Sequence, residues 1–176
     1  MGELVVLNKD ADSVWYLDAD TGEPLGTVET DFNPHEVAVA PDGKTSFVTC
    51  SLGQSLLFLD NESREVTGRF EHELFDFPHG LAVRESAGEL WLASTYSSQV
   101  YVFDIETEEL LETVPTHQEL SHMVTLSPDE SRAYVANIGS DSVTVVAADD
   151  RSIVADPPVG ESPEGIAVDP DTGEVL

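Results

Sequence analysis

One short segment recurs four times at nearly even intervals, and this constrains the 176-residue chain more than any other feature. It reads PHEVAVAPDG from Pro34, PHGLAVRESAG from Pro78, SHMVTLSPDE from Ser121 and PEGIAVDPDTG from Pro163. His35, His79, His122 and Glu164 hold the same slot, separated by 44, 43 and 42 residues. A second segment keeps step: SVWYLDADTGE from Ser13, SLLFLDNESRE from Ser55, QVYVFDIETEE from Gln99 and SVTVVAADDRS from Ser142. Between them lie TSFVTCS, ELWLAST and RAYVANI, with ELVVLNK from Glu3 in the same slot. Repeats of this length cannot bury an apolar face alone and must stack on their neighbours.

Within each repeat, four short runs of β-branched, aromatic and aliphatic residues are separated by Pro-Asp-Gly or Asp/Ser/Thr clusters that favour turns. In the best-marked repeat the strands are A (HEVAVA), B (SFVTC), C (LLFLD) and D (EVTGRF). Four antiparallel strands per unit make one blade, so the expectation is an all-β β-propeller with almost no helix. Repeat boundaries fall at 1–33 (strands B, C and D only), 34–77, 78–120, 121–162 and 163–176, the last partial, within a single domain over 1–176. Tyr134-Val135-Ala136-Asn137, Leu17-Asp18 with Thr21-Gly22-Glu23, and Pro34 through Lys44 resemble the repeat of the YVTN-type propeller family, which includes YncE-like proteins and is WD40-like in architecture. That resemblance implies the fold across the whole chain and says little about activity, because propellers host many functions.

Three full blades and two partial ones leave two arrangements open. Strand A of the last repeat, Gly165 to Val168, can close on the N-terminal strands in a four-bladed ring. Otherwise the chain is an open arc, a truncated or partial propeller; this is preferred, because family members commonly have more blades. Open blade edges would invite self-association.

Charge sets the surface. Thirty-five acidic residues face seven basic ones, a net charge of −28, and the only lysines are Lys9 and Lys44. We read this acidic surface as adaptation to high salt, as in a halophilic organism. Attraction to nucleic acid or to anionic membrane lipid is contraindicated. Cys50 is alone, so no intrachain disulfide forms. The N-terminus lacks the basic and apolar regions of a signal peptide, which gives a cytoplasmic expectation.

His35, His79, His122 and Glu164 are the candidate binding residues, placed at one mouth of the central channel. The preferred reading gives the histidines a place in the repeat pattern, with no catalytic residue and no cofactor. The alternative gathers His35, His79 and His122 around a divalent metal such as zinc, with Glu164 as fourth ligand or general base. The architecturally related NHL-type amidating lyases and streptogramin lyases imply such an arrangement. Three consecutive inner strands can, however, lie too far apart for one ion.

His72, His117, Phe75 and Phe77 lie in the D-to-A connections, where recognition usually sits; the two phenylalanines equally suit capping the core. Asp18, Asp60 and Asp104 are each followed three residues on by Thr21, Ser63 or Thr107, the spacing of a local Asx turn, with calcium as a weaker rival. Ala147 takes the Asp slot in the last repeat, where a looser turn is expected. Trp15 and Trp91 occupy strand slots of ordinary apolar residues and are expected in the core. Asn8 and Asn137 end strand B and are expected to shape its turn.

Two function classes follow. The favoured one is a non-catalytic binding scaffold that presents loops to a protein, peptide or small-molecule ligand. The alternative is a metal-dependent, lactonase-like hydrolase or lyase.

Overall fold

A computed structural model describes residues 2–176. Fifteen strands form one three-stranded and three four-stranded sheets. The chain divides into two compact units, 1–78 and 79–176.

In the first unit, β1 (Glu3–Asn8), β2 (Ser13–Asp18) and β3 (Pro24–Glu29) make an antiparallel meander in the slots of strands B, C and D. A complete sheet follows: β4 (Pro34–Val39), β5 (Thr45–Cys50), β6 (Ser55–Asp60) and β7 (Glu65–Glu71). Each strand alternates its side chains between two faces, so β2 turns Val14 and Tyr16 one way and Trp15 and Leu17 the other. The first pair packs with Val28, Val48, Leu57 and Leu59 into one apolar cluster between the two sheets. Cys50 lies in that cluster, and burial pushes its thiol up to about 12.

The second unit repeats the plan. One sheet comprises β8 (Pro78–Arg84, its first residue closing the first unit), β9 (Glu89–Ser94), β10 (Gln99–Asp104) and β11 (Leu110–Pro115). The other comprises β12 (Ser121–Leu126), β13 (Arg132–Asn137), β14 (Ser142–Ala147) and the short β15 (Ile153–Ala155). Trp91, Ala93, Val100 and Val102 pack against Ala133, Val135 and Val146. Three 3₁₀ turns, Lys9–Ala11, Glu85–Ala87 and Ile138–Ser140, are the helical content of the described residues.

Several expectations are corrected. The last repeat forms no strand A in a sheet: residues 165–168 fold back on 174–176 in a hairpin with a single bridge, Val168 to Val175. The sheet of β1–β3 has three strands. Trp91 is fully buried as expected, but Trp15 is 44% exposed.

The Asx turns form as the spacing predicts. Asp18 Oδ1 accepts hydrogen bonds from the backbone N–H of Asp20 at 3.0 Å and of Thr21 at 2.8 Å. Asp60 and Asp104 do the same for Ser63 and Thr107. These N–H donors hold all three carboxyls below the ordinary aspartate value. The turn after Ala147 is closed by Asp150 instead, which accepts from the Ser152 N–H at 3.0 Å and its hydroxyl at 2.6 Å.

Candidate functional site

The D-to-A and B-to-C connections gather at one end of each sheet, because an antiparallel meander returns every second turn to the same side. In the first unit, three such loops are knit together. Gly53 N–H donates to Phe32 O at 2.9 Å, Ser51 N–H to Asn33 O at 2.9 Å, and Phe77 N–H to Gln54 Oε1 at 2.9 Å. Phe32, Leu52 and Leu74 project from these loops with 69%, 63% and 47% of their surface exposed. Around them stand Glu71, Glu73 and Asp76, all exposed. Asp31 is tied down by Arg69 Nε at 2.6 Å and Ser55 Oγ at 2.5 Å.

Of the two phenylalanines singled out in this insertion, Phe75 caps the core at 6% exposure and Phe77 is half-buried. Phe70, His72 and Phe75 form an aromatic group with ring centroids 5.9–6.2 Å apart. Sequence reasoning missed Leu74, Phe32 and Leu52. Their signal was a large apolar residue inside a turn segment rather than in a strand register.

His35 sits at the start of β4, its Nδ1 4.0 Å from Glu36 Oε1 and its ring centroid 6.1 Å from that of Phe77. Burial raises the Glu36 carboxyl above its ordinary value.

In the second unit His79 on β8 and His122 on β12 are buried and stack with ring centroids 3.7 Å apart, at 29° between planes. These two histidines thus meet across neighbouring inner strands. The reason lies one residue on. A Cβ at Gly80 would fall 2.7 Å from Met123 Cα and 2.8 Å from His122 O, so the two strands approach this closely only with glycine there.

Thr95 Oγ1 lies 3.0 Å from His122 Nδ1, and Glu164 Oε1 lies 3.8 Å from His122 Nε2. The Glu164 side chain is 76% exposed, so it flanks the pair from solvent. An ion held here would need ligand nitrogens at about 2.0–2.1 Å.

Beside the pair runs a buried hydroxyl and amide network. Thr116 Oγ1 and Ser121 Oγ are 2.7 Å apart, Ser121 Oγ donates to Asn137 Oδ1 at 2.8 Å, and Asn137 Nδ2 donates to Thr144 Oγ1 at 3.0 Å. Asn137 therefore ties strands β12, β13 and β14 together, a larger task than shaping one turn. At the far end of the same sheet, a shallow cleft of about 350 Å³ opens between Ser127–Tyr134 and Pro170–Gly173, away from the histidines.

An ion network, also unforeseen, joins the two sheets of this unit. Glu89, 6% exposed, accepts from Trp91 Nε1 at 3.1 Å, faces Arg84 Nη1 at 3.5 Å and pairs with Arg151. Arg84 also pairs with Asp149 and donates to Ala148 O at 3.0 Å. The contacts that cross between the sheets, Arg84 with Ala148 and Asp149 and Glu89 with Arg151, join residues more than 60 apart in sequence, which hid them from any local reading.

No known protein-family profile matches the chain, and no curated protein matches it. Solved structures do. Hydrazine synthase of Kuenenia stuttgartiensis superposes with a TM-score of 0.84 at 22% identity over 93% of this chain. A functionally unknown protein from Desulfotomaculum acetoxidans gives 0.84 at 16% identity over 99%, and U3-55K gives 0.82 at 17% over 94%. With the four antiparallel sheets, these likenesses show a β-propeller-type fold. The chain spans 47%, 59% and 51% of the length of those three chains, about half.

Proposed function

We propose that this chain is a non-catalytic propeller scaffold of the YVTN-repeat kind, which binds a protein or peptide partner through the loop end of its first unit. The observation that carries this reading is the knit triad of loops. Three large apolar side chains stand in water on hydrogen-bonded loops, ringed by carboxylates. Exposed apolar groups clustered within a polar rim mark interaction surfaces, and rigid loops lose little entropy on binding. The acidic rim calls for a basic, amphipathic partner. The scarcity of lysine and the net charge of −28 support a protein adapted to high salt.

Calorimetric titration with a panel of Arg/Leu-rich peptides tests the reading. Saturable binding is expected, and it should weaken about tenfold or more, some 1.4 kcal/mol, in a Phe32→Asp/Leu52→Asp double variant. Binding unaffected by that variant, or absent across the panel, overturns it.

A second reading rests on the stacked His79–His122 pair flanked by Glu164, a metal-dependent hydrolase. Stoichiometric divalent metal in the purified protein, lost in His79→Ala, would put it first.

A further inference from the structure

The strand registers allow each position of the first sheet to be compared with its counterparts. Leu4 pairs with Leu17, Val6 with Trp15, Ser46 with Leu59 and Val48 with Leu57. In the second unit Ala133 pairs with Val146 and Val135 with Thr144. Leu4, Val6, Trp15 and Leu17 thus correspond to Ser46, Val48, Leu57 and Leu59, and to Ala133, Val135, Thr144 and Val146.

The second and third groups are at most 2% exposed. Leu57 and Leu59 pack on the sheet before them, as do Ala133, Val135 and Val146. In the first group Leu4, Val6 and Trp15 are 48%, 36% and 44% exposed. The face has the composition of a sheet-to-sheet contact and carries no charged side chain at these four positions. The backbone edge of β1 matches it. The slot that β4, β8 and β12 fill beside β5, β9 and β13 is empty beside β1 among the described residues.

The strand that fits this slot is present on the same chain. Residues 164–168 read EGIAV and align with His35–Val39 of β4, and 165–168 pair back on 174–176 in the terminal hairpin. That hairpin has four backbone hydrogen bonds: Gly173 N–H to Asp169 O at 2.8 Å across the turn, Asp169 N–H to Glu174 O at 2.8 Å, Ala167 N–H to Leu176 O at 3.0 Å and Leu176 N–H to Ala167 O at 2.9 Å. Its second arm occupies the strand-B slot, so Gly173-Glu174-Val175 is the counterpart of Gly2-Glu3-Leu4. β1 can therefore replace residues 174–176 in an unchanged register: Val168 opposite Leu4, Ala167 opposite Val5, Ile166 opposite Val6.

We propose that two copies of this chain associate head to tail, residues 165–168 of one adding as the fourth strand to the β1 edge of the other and its last sheet covering Trp15. The partner is a second copy because its own sequence supplies both the strand and the register.

In an antiparallel ladder the non-hydrogen-bonded pairs bring Cα atoms to about 4.5 Å, within disulfide range. Ala167 exchanges both hydrogen bonds with its partner, so its neighbour Ile166, opposite Val6, is such a pair. The test mixes a Val6→Cys protein with an Ile166→Cys protein under oxidation in about 2 M KCl, where surface repulsion is screened. A disulfide-linked dimer of twice 19.0 kDa joining residues 6 and 166 is expected.

Trp15→Glu should cut that yield about tenfold or more and return the mass by light scattering to 19.0 kDa. Because Trp15 is exposed, the strand signal in circular dichroism should be unchanged. A 19.0 kDa species at every concentration with no mixed disulfide overturns the proposal. So does a disulfide within one chain of the doubly substituted protein, or a dimer indifferent to Trp15→Glu.

Discussion

At the scale of single residues, the acidic side chains divide by what they accept. Asp129 accepts hydrogen bonds from the Ser127 hydroxyl at 2.6 Å, the Ser131 N–H at 3.1 Å and the Ser131 hydroxyl at 2.8 Å. These donors, the Ser127 hydroxyl foremost, lower its carboxyl to about 2. An unfolded aspartate titrates near 3.9. The folded value is the lower one, so the stabilisation is complete above about pH 4 and is lost as pH falls through about 2. Asp129→Asn should therefore lower the melting temperature by a few degrees at pH 6, and the two proteins should converge near pH 2. Thermal melts followed by circular dichroism across that range would read this, and a difference that persists at pH 2 would assign the effect to shape rather than charge. The donors to Asp129 are within two residues of it, so this feature is as legible in the sequence as the Asx turns. The Glu89 network is not, since nothing local tells Arg84 and Arg151 that they share a carboxylate.

At the scale of strands and sheets, most of the fold is written in the sequence. The unbroken apolar run Leu56–Leu59 between Ser55 and Asp60 marks a strand buried on both faces, the Pro41-Asp42-Gly43 turn marks its neighbour's start, and the observed β4–β7 follow the repeat closely. Burial is less legible, because it depends on the neighbour: Trp15 and Leu57 occupy one slot, yet Leu57 packs into the cluster between two sheets while Trp15 is 44% exposed. The His79–His122 pair was legible as a shared slot but not as a stack, since the separation of β8 and β12 is decided by the missing side chain of Gly80. Gly80→Ala makes that dependence measurable. Its Cβ would meet backbone atoms at 2.7–2.8 Å, which only a shift of a strand can relieve. Overpacking of this kind costs roughly 1–3 kcal/mol, seen as a lowered denaturant midpoint. Gly165→Ala is the control, having no atom within 4 Å of the added methyl and an ordinary backbone conformation. Equal midpoints for the two variants would show that the strands can separate freely.

At the scale of the whole molecule, a net charge of −28 must be held on one small surface. Two effects of salt oppose one another. Screening weakens the attractive pairs, Arg64 with Glu3, Arg69 with Asp31 and Glu71, and the Arg84–Glu89–Arg151 group. It also weakens the repulsion among carboxylates that have no cation to meet. The second effect is larger. Acidic residues outnumber basic ones five to one, exposed pairs contribute only about 0–1 kcal/mol each, and Glu89, Arg84 and Arg151 are sheltered from solvent ions by burial. The Debye length falls from about 10 Å at 0.1 M to about 3 Å at 1 M, so the repulsive field over the surface largely collapses in that interval. The melting temperature should rise by about 10 °C between 0.1 M and 2 M KCl, a net gain of roughly 3–5 kcal/mol at about 2–4 °C per kcal/mol. Most of the rise should come below 1 M. A continued climb above 1 M would indicate solute exclusion from the surface rather than screening, and a melting temperature that is flat or falls with salt would refute the link between this composition and a saline habitat.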